Sequence, residues 1–300
     1  MHSQGEPGRA RTRDGRELFY MRRPGPGGEG APTGAPTGAP TVVLEGGLAS
    51  SRSYWAPVQL RLDGVAATVA YDRSGLGRSA PDPAPRPLSR LAEDLGDLLD
   101  HLGGLGHGPF VLVGHSWGGP IVRLAAAARP ERIAGLVLAD PTDESCDLVF
   151  APSVRRQERI GQAVSMLLAR TGLLARAFRP MLDALPADAA AEMREEGFTV
   201  STIRTRGAEL GSVVADLTAM KENPPALGGI PLTVVSAVRT STGMGPKVRQ
   251  AVNASHAHRV GRAEVGRHVL AADADHMVPT SDPDALAREI RRIVEDRSPA

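Results

Sequence analysis

Six short apolar runs along the chain predict the strands of one sheet. The runs are Val42–Leu44, Ala67–Tyr71, Phe110–Val113, Leu136–Ala139, Pro231–Val235 and His268–Ala272. Helical segments separate each run from the next, and strands that alternate with helices favour a parallel sheet covered on both faces. The pattern therefore predicts an α/β fold with a mostly parallel, doubly wound sheet.

Three of the helical segments have a clear pattern. Leu88–Leu102 carries five leucines on one helical stripe, and its acidic residues are expected on the opposite, polar side. These acidic residues are Glu93, Asp94, Asp97 and Asp100. Ile121–Arg129 is rich in alanine, and Ser281-Asp-Pro-Asp284 predicts the cap and first turn of a closing amphipathic helix.

The remaining stretches suggest how the domain is organised. A first strand is predicted at Glu17–Arg22, and Pro24–Thr41 repeats Ala-Pro-Thr-Gly, a composition typical of a flexible surface connection. From Asp143 to about Pro225 the strand pattern is absent, and helical pieces such as Gln157–Arg170 and Ala187–Glu196 are typical of a lid over a cleft. We expect an N-terminal strand and flexible segment in residues 1–40, a core in residues 41–143 and 226–300, and a helical lid in residues 144–225.

Composition excludes several classes of function. A 300-residue chain with 41% hydrophobic residues can bury a substantial core, and its net charge of +1 does not favour a nucleic-acid or membrane partner. Neither of its lysines ends a P-loop motif, which excludes that route to ATP chemistry. One cysteine, Cys146, excludes an intramolecular disulfide and a cysteine-cluster zinc site. The polar first fifteen residues and the lack of a long apolar stretch predict a soluble, cytoplasmic protein.

The run Phe110–Gly119 contains the motif that matters most for chemistry. An apolar strand leads into Gly114-x-Ser116-x-Gly118, and a helical stretch follows. A serine on such a sharp strand-to-helix turn needs glycine neighbours, and its hydroxyl then points into a cleft. Ser116 is therefore the candidate nucleophile.

A serine nucleophile needs a base and an acid that orients the base. His276 follows the last predicted strand, at the same sheet edge as Ser116, and is the candidate base. Asp140, at the tip of the Leu136–Ala139 strand, is the preferred acid, with Asp143 as the competitor and a simple turn before Pro141 as the structural alternative.

The other histidines have weaker claims to a role in the site. His115 is expected to pack beside the turn rather than act as base, because neighbouring side chains on a strand point to opposite faces. His256 and His258 form His-x-His without a convincing third ligand, so they are expected in solvent and no metal site is predicted.

An acyl-transfer reaction also needs two N–H donors for the developing oxyanion. Trp117, directly after the nucleophile, supplies one main-chain N–H, and the glycine-rich loop after Val42–Leu44 should supply the other. We expect Gly47 as that donor and Leu48 as the second choice. Glu45 precedes this loop, and if its carboxylate points inward it must be neutralised or paired.

These residues resemble the α/β-hydrolase superfamily over nearly the whole chain from about Arg16. The serine turn, the loop Ala70–Ser79 and the order Ser116, Asp140, His276 carry the resemblance. It implies an α/β-hydrolase fold and hydrolysis through an acyl-enzyme, in which Ser116 attacks an acyl carbon and His276 moves the proton. Two departures are Glu45, where many relatives have His-Gly, and the lack of an acid after Val235.

Several functions remain open from the sequence. A serine at the turn argues against the aspartate chemistry of epoxide hydrolases and haloalkane dehalogenases, and leaves esterase, lactonase, thioesterase, amidase, iminopeptidase and carbon–carbon hydrolase. A non-catalytic ligand-binding protein or an acyltransferase on the same fold is the alternative. We expect a small-molecule substrate and no cofactor; the oligomeric state cannot be read from the sequence.

Overall fold

The computed structural model describes residues 2–26 and 39–298, and within them eight strands form one sheet. The strands are β1 (Glu6–Arg11), β2 (Glu17–Arg23), β3 (Thr41–Glu45), β4 (Thr68–Tyr71), β5 (Phe110–His115), β6 (Ile133–Ala139), β7 (Leu232–Ala237) and β8 (Gly266–Ala271). Their order in the sheet is β1-β2-β4-β3-β5-β6-β7-β8. β1 and β2 are antiparallel to their neighbours and the rest are parallel, which confirms the predicted fold class.

Helices connect the strands and cover both faces of the sheet. They are α1 (Ala56–Arg61), α2 (Leu88–Gly104), α3 (Gly118–Ala128), α4 (Pro152–Arg170), α5 (Leu174–Ala177), α6 (Arg179–Asp183), α7 (Ala187–Glu196), α8 (Val200–Glu222), α9 (Pro246–Gly261), α10 (Val278–Ser281) and α11 (Pro283–Arg297). We call residues 144–225, which lie between β6 and β7 and contain α4 to α8, the helical insertion.

Alternate residues of the central strands pack against different helices. On one face Val43 and Leu112 contact a cluster that contains α2 and α3, and on the other Val42 and Val113 contact a cluster that contains α1 and α11. Because these strands are buried on both sides, their sequence is a continuous apolar run rather than an alternation. This explains why the runs of the central strands were visible in the sequence, whereas β8, at the edge of the sheet, is only partly buried.

Two expectations about the periphery of the fold need correction, and a third concerns residues that the structure does not describe. β1 was missed, because of its residues only Ala10 is buried and its pairing with β2 is made by the backbone. Asp94 and Asp97 of α2 are buried rather than solvated, because they accept hydrogen bonds from Arg16 and Arg13. Most of the segment predicted to be flexible, residues 27–38, lies outside the described residues.

Within the described ranges, each helix is too short or too polar to pass through a bilayer.

Candidate active site

The turn between β5 and α3 holds Ser116 in a left-handed backbone conformation. Its φ angle is +52°, a value that residues with a Cβ rarely adopt. The two glycines of the motif are needed for close packing: a Cβ at Gly114 would lie 2.5 Å from the carbonyl oxygen of Gly118, and one at Gly118 would lie 2.5 Å from that of Glu45. The surrounding backbone therefore holds the turn tightly from both sides.

Three of the predicted site residues lie in one hydrogen-bonded line. Ser116 Oγ is 3.1 Å from His276 Nε2, and His276 Nδ1 is 2.7 Å from Asp140 Oδ2. An ionised carboxylate can only accept, so Nδ1 carries the proton and Nε2 is free to accept the Ser116 hydroxyl proton. The side chain of His276 is 29% exposed and that of Asp140 is fully buried. His276 therefore faces the solvent side and Asp140 the protein interior.

Asp140 is held at the tip of β6 by groups from β7 and α9. Its Oδ1 accepts hydrogen bonds from the Ala237 N–H at 3.1 Å and from Arg249 Nη1 at 2.5 Å. Burial acts to raise the pKa of Asp140, but the hydrogen bonds from His276 and Arg249 outweigh it and hold this pKa well below its usual range. Asp140 is therefore a carboxylate throughout the neutral range.

The competing acid, Asp143, is engaged elsewhere. Its carboxylate accepts from Arg259 Nε at 2.8 Å and from the Ser145 N–H at 2.9 Å. The described contacts of His276 do not include it. Of the two carboxylates weighed from the sequence, only Asp140 bonds the histidine.

His115 is buried beside Ser116, as its place on β5 predicted. Tyr54 Oη donates to His115 Nδ1 at 3.2 Å, so the proton of His115 is on Nε2, which donates to the carbonyl oxygen of His276 at 2.8 Å. Burial lowers the pKa of His115 to about 3. A neutral His115 thus holds the main chain of the candidate base.

The expectation that His256 lies in solvent is wrong. Its ring is buried on the face of α9 that packs against the sheet, where Nδ1 is 2.7 Å from Ser236 Oγ and Nε2 donates to the carbonyl of Pro141 at 2.8 Å. Burial lowers the pKa of His256. This histidine therefore supports the backbone behind Asp140, whose main chain continues into Pro141.

The loop after β3 approaches Ser116, and its N–H groups differ in what they bond. A Cβ at Gly47 would lie 3.1 Å from His115 Nδ1 and 3.2 Å from the Cβ of Ser116, so a side chain here would crowd both neighbours. The N–H of Gly47, the donor expected first, is donated to Tyr54 Oη at 3.2 Å. Across residues 2–26 and 39–298, the N–H groups of Leu48 and Trp117 have no acceptor, which leaves these two available.

Glu45 points inward and is paired. Its Oε1 accepts from Arg73 Nη1 at 2.6 Å, and its other oxygen accepts from the Tyr71 hydroxyl. Burial raises the pKa of Glu45 above its usual value, against the opposing effect of Arg73. Arg73 and Arg249 were not identified from the sequence, because nothing in an isolated arginine indicates which buried carboxylate it will meet.

Comparison with known proteins identifies the family of this chain. The family model described as "Alpha/beta hydrolase family" matches residues 42–289. A thermophilic esterase from Thermogutta terrifontis has a similar structure, with a TM-score of 0.68 at 20% identity, over 98% of this chain and 100% of that one. At this identity the likeness concerns the fold alone.

Two curated relatives match shorter stretches. A putative carbamate hydrolase from Klebsiella pneumoniae is 36% identical over 116 residues, which are 38% of this chain and 41% of that protein. A lipase from Mycobacterium tuberculosis is 47% identical over 72 residues, 24% of this chain and 26% of that one. The matched stretches thus span less than half of either relative. The family match, however, extends over most of the chain, which therefore belongs to the alpha/beta hydrolase family.

Proposed function

We propose that this protein is a serine hydrolase that cleaves a small ester or a related acyl compound through an acyl-enzyme. The observation that carries the proposal is the line of contacts from Ser116 Oγ through the His276 ring to Asp140, at 3.1 and 2.7 Å. Membership in the alpha/beta hydrolase family supports it. In the proposal Ser116 is the nucleophile, His276 the general base and acid, and Asp140 the group that orients the histidine.

The first half of the reaction transfers the acyl group to the enzyme. Ser116 Oγ attacks the acyl carbon while its proton passes to His276 Nε2. The N–H groups of Trp117 and Leu48 bond the oxyanion of the tetrahedral intermediate. When the bond to the leaving group breaks, His276 returns its proton to that group, so the histidine is neutral again in the acyl-enzyme.

Water completes the cycle. His276 takes a proton from a water molecule, which attacks the acyl carbon of the Ser116 ester, and then gives the proton to Ser116 Oγ as the acid product leaves. Asp140 stays ionised throughout and stabilises the imidazolium that forms in each half. No step needs a metal ion or an organic cofactor.

The helical insertion is part of the same proposal. We assign it the role of a lid, because it follows β6 at the sheet edge where Asp140 lies and contains a run of helices outside the sheet. Residues 41–143 and 226–300 would then form the catalytic core. A lid in this place controls which acyl and leaving groups reach Ser116.

Labelling and turnover in parallel test the proposal. A fluorophosphonate probe should label the wild-type protein and fail to label Ser116→Ala. The variant should keep its thermal unfolding temperature and lose about 10⁴- to 10⁶-fold in kcat. A panel of short esters, carbamates, thioesters and amides, read by product analysis, identifies the bond cleaved. Retained turnover in Ser116→Ala, or binding without turnover across the panel, would contradict the proposal.

A further inference from the structure

Arg73 makes an unusual set of contacts between the loop after β3 and the helical insertion. It is fully buried and donates from Nη1 to the carbonyl of Gly46 at 2.6 Å and from Nη2 to the carbonyl of Gly47 at 2.8 Å. The same guanidinium bonds Glu209 of α8 through Nε at 3.1 Å and Nη2 at 2.9 Å. One side chain thus holds two successive carbonyls of the loop and one carboxylate of the insertion.

These carbonyl contacts fix where the neighbouring N–H groups point. A peptide unit is planar and trans, so its N–H points away from its C=O. With the Gly46 carbonyl held by Arg73, the Gly47 N–H is directed to Tyr54 Oη on the other side. With the Gly47 carbonyl held, the next N–H, that of Leu48, is likewise directed away from Arg73. Arg73 therefore sets the orientation of the N–H proposed to bond the oxyanion.

Glu209 in turn holds Arg73. Its carboxylate is fully buried and accepts both bonds from Arg73 and a third from Arg86 Nη2 at 2.9 Å. Burial acts to raise the pKa of Glu209, but the two arginines outweigh it and lower this pKa below its usual value. A buried carboxylate with paired donors is costly to disrupt, because removal of its charge takes one of two buried counter-ions from Arg73, which keeps Glu45, and weakens the bond from Arg86.

We propose that Arg73 is a positioning residue and that Glu209 holds it in its position. The helical insertion, which carries Glu209, then completes the oxyanion site as well as covering the cleft. The inference rests on the proposed function. In this arrangement the Leu48 N–H is correctly oriented when α8 is docked. Displacement of Glu209 leaves the guanidinium bonded to Glu45 but removes its two bonds to α8, so the orientation of the guanidinium and of the two peptide units is less firmly fixed.

The test compares Glu209→Gln with a matched variant of the insertion, Glu192→Gln. Glu192 also joins the insertion to the core, through Arg52 at 2.7 Å and Arg78 at 2.8 Å, and its hydrogen bonds among the described residues do not include the loop after β3. Both substitutions preserve shape and remove one charge. The measurements are kcat and KM on an activated ester, and the inhibition constant of a trifluoromethyl ketone, which binds as a tetrahedral oxyanion.

We expect Glu209→Gln to lower kcat about 10- to 100-fold with KM within about 3-fold, since complete loss of one oxyanion donor costs about 10²- to 10³-fold. The affinity for the ketone should fall in proportion to kcat/KM. Glu192→Gln should leave kcat and the inhibition constant of the ketone within about 3-fold of the wild-type values. A purely structural role for Glu209 would change KM or the unfolding temperature and leave the ketone constant unchanged, which would overturn the inference. An equal loss in Glu192→Gln would do the same.

Arg73→Lys provides a second route if Glu209→Gln does not fold. Lysine keeps the charge but cannot reach both carbonyls and the carboxylate with a planar fork. It should reproduce the loss in kcat and in ketone affinity, and the double variant should lose little more than either single one, as residues acting in one unit do. Full activity in Arg73→Lys would overturn the inference. An inactive, unlabelled wild type would instead refute the proposed function.

Discussion

Replacing Arg249 with methionine tests the electrostatics around Asp140. One carboxylate oxygen accepts from Arg249 Nη1 at 2.5 Å and the other from His276 Nδ1 at 2.7 Å. When His276 takes up a proton, two cations share one carboxylate, so Arg249 opposes that protonation. Burial lowers the pKa of the nearby rings of His115 and His256, which disfavours a further cation at either ring. Arg249 is thus the permanent cation beside this carboxylate.

The size of the effect follows from the geometry. Cations bound to opposite oxygens of one carboxylate are roughly 6 Å apart, which gives a repulsion of about 3 kcal/mol at an effective dielectric constant of about 20. Since about 1.4 kcal/mol corresponds to one pH unit, the acid limb of kcat/KM can move by at most about 2 pH units. The His276 side chain is 29% exposed, so solvent screens part of this repulsion. We therefore expect the acid limb of kcat/KM to move by about 1 pH unit.

The assay is kcat/KM against pH for the wild type and Arg249→Met. Activity needs neutral His276, so without the opposing cation the acid limb should move to higher pH. Arg239→Met is the control, because the Arg239 side chain is exposed and, within residues 2–26 and 39–298, donates only to the carbonyl of Asp273, at 3.3 Å. An acid limb that stays in place, or moves to lower pH, would refute the reasoning.

The variant should remain folded. Arg249 Nε and Nη2 are buried without a hydrogen-bond partner in the part of the chain that the structure describes, so methionine removes two unsatisfied groups along with the bond to Asp140. Asp140 keeps the Ala237 N–H and His276. Thermal unfolding of both variants checks that the pH profiles compare folded enzymes.

Two further predictions concern the acid and the turn. Asp140→Asn should lower kcat about 10⁴-fold, because asparagine favours the wrong histidine tautomer, whereas Asp143→Asn should keep kcat within about 10-fold; steady-state kinetics on one ester compares them, and equal losses would contradict the assignment of Asp140. Gly118→Ala should lower the midpoint of thermal unfolding and reduce activity, because its Cβ would lie 2.5 Å from the carbonyl oxygen of Glu45. A midpoint of thermal unfolding equal to that of the wild type would show that the packing at the turn is looser than described.

The central sheet and the line of contacts could be predicted because their determinants are local. A strand buried on both faces must be apolar along its length, which is why β3 to β7 stand out, and Ser116 lies in a short motif with its own backbone requirements. His276 and Asp140 were found from their places at strand ends, because parallel strands end at one edge of the sheet. These inferences needed the order of the elements but no side-chain geometry.

The rest depended on contacts between distant parts of the chain. The sequence favoured Gly47 over Leu48 as the donor, but it gives no sign that the Gly47 N–H is donated to the hydroxyl of Tyr54. Arg73 acquires its role from Glu209, which is far along the chain on α8. β1 has no apolar pattern, because its pairing partner and not its side chains hold it in the sheet.

With the proposed acid on β6, the end of β7 contributes main-chain N–H groups to the site: that of Ala237 bonds Asp140, and those of Val238 and Arg239 bond the carbonyl of Ala274, two residues before His276. The segment from Val238 to Gly245 that follows is largely exposed. Beyond Arg239 it can therefore change in length and composition without displacing a reacting group. A peptide or a small domain could be inserted by design after Arg239, beyond the N–H groups that bond Ala274.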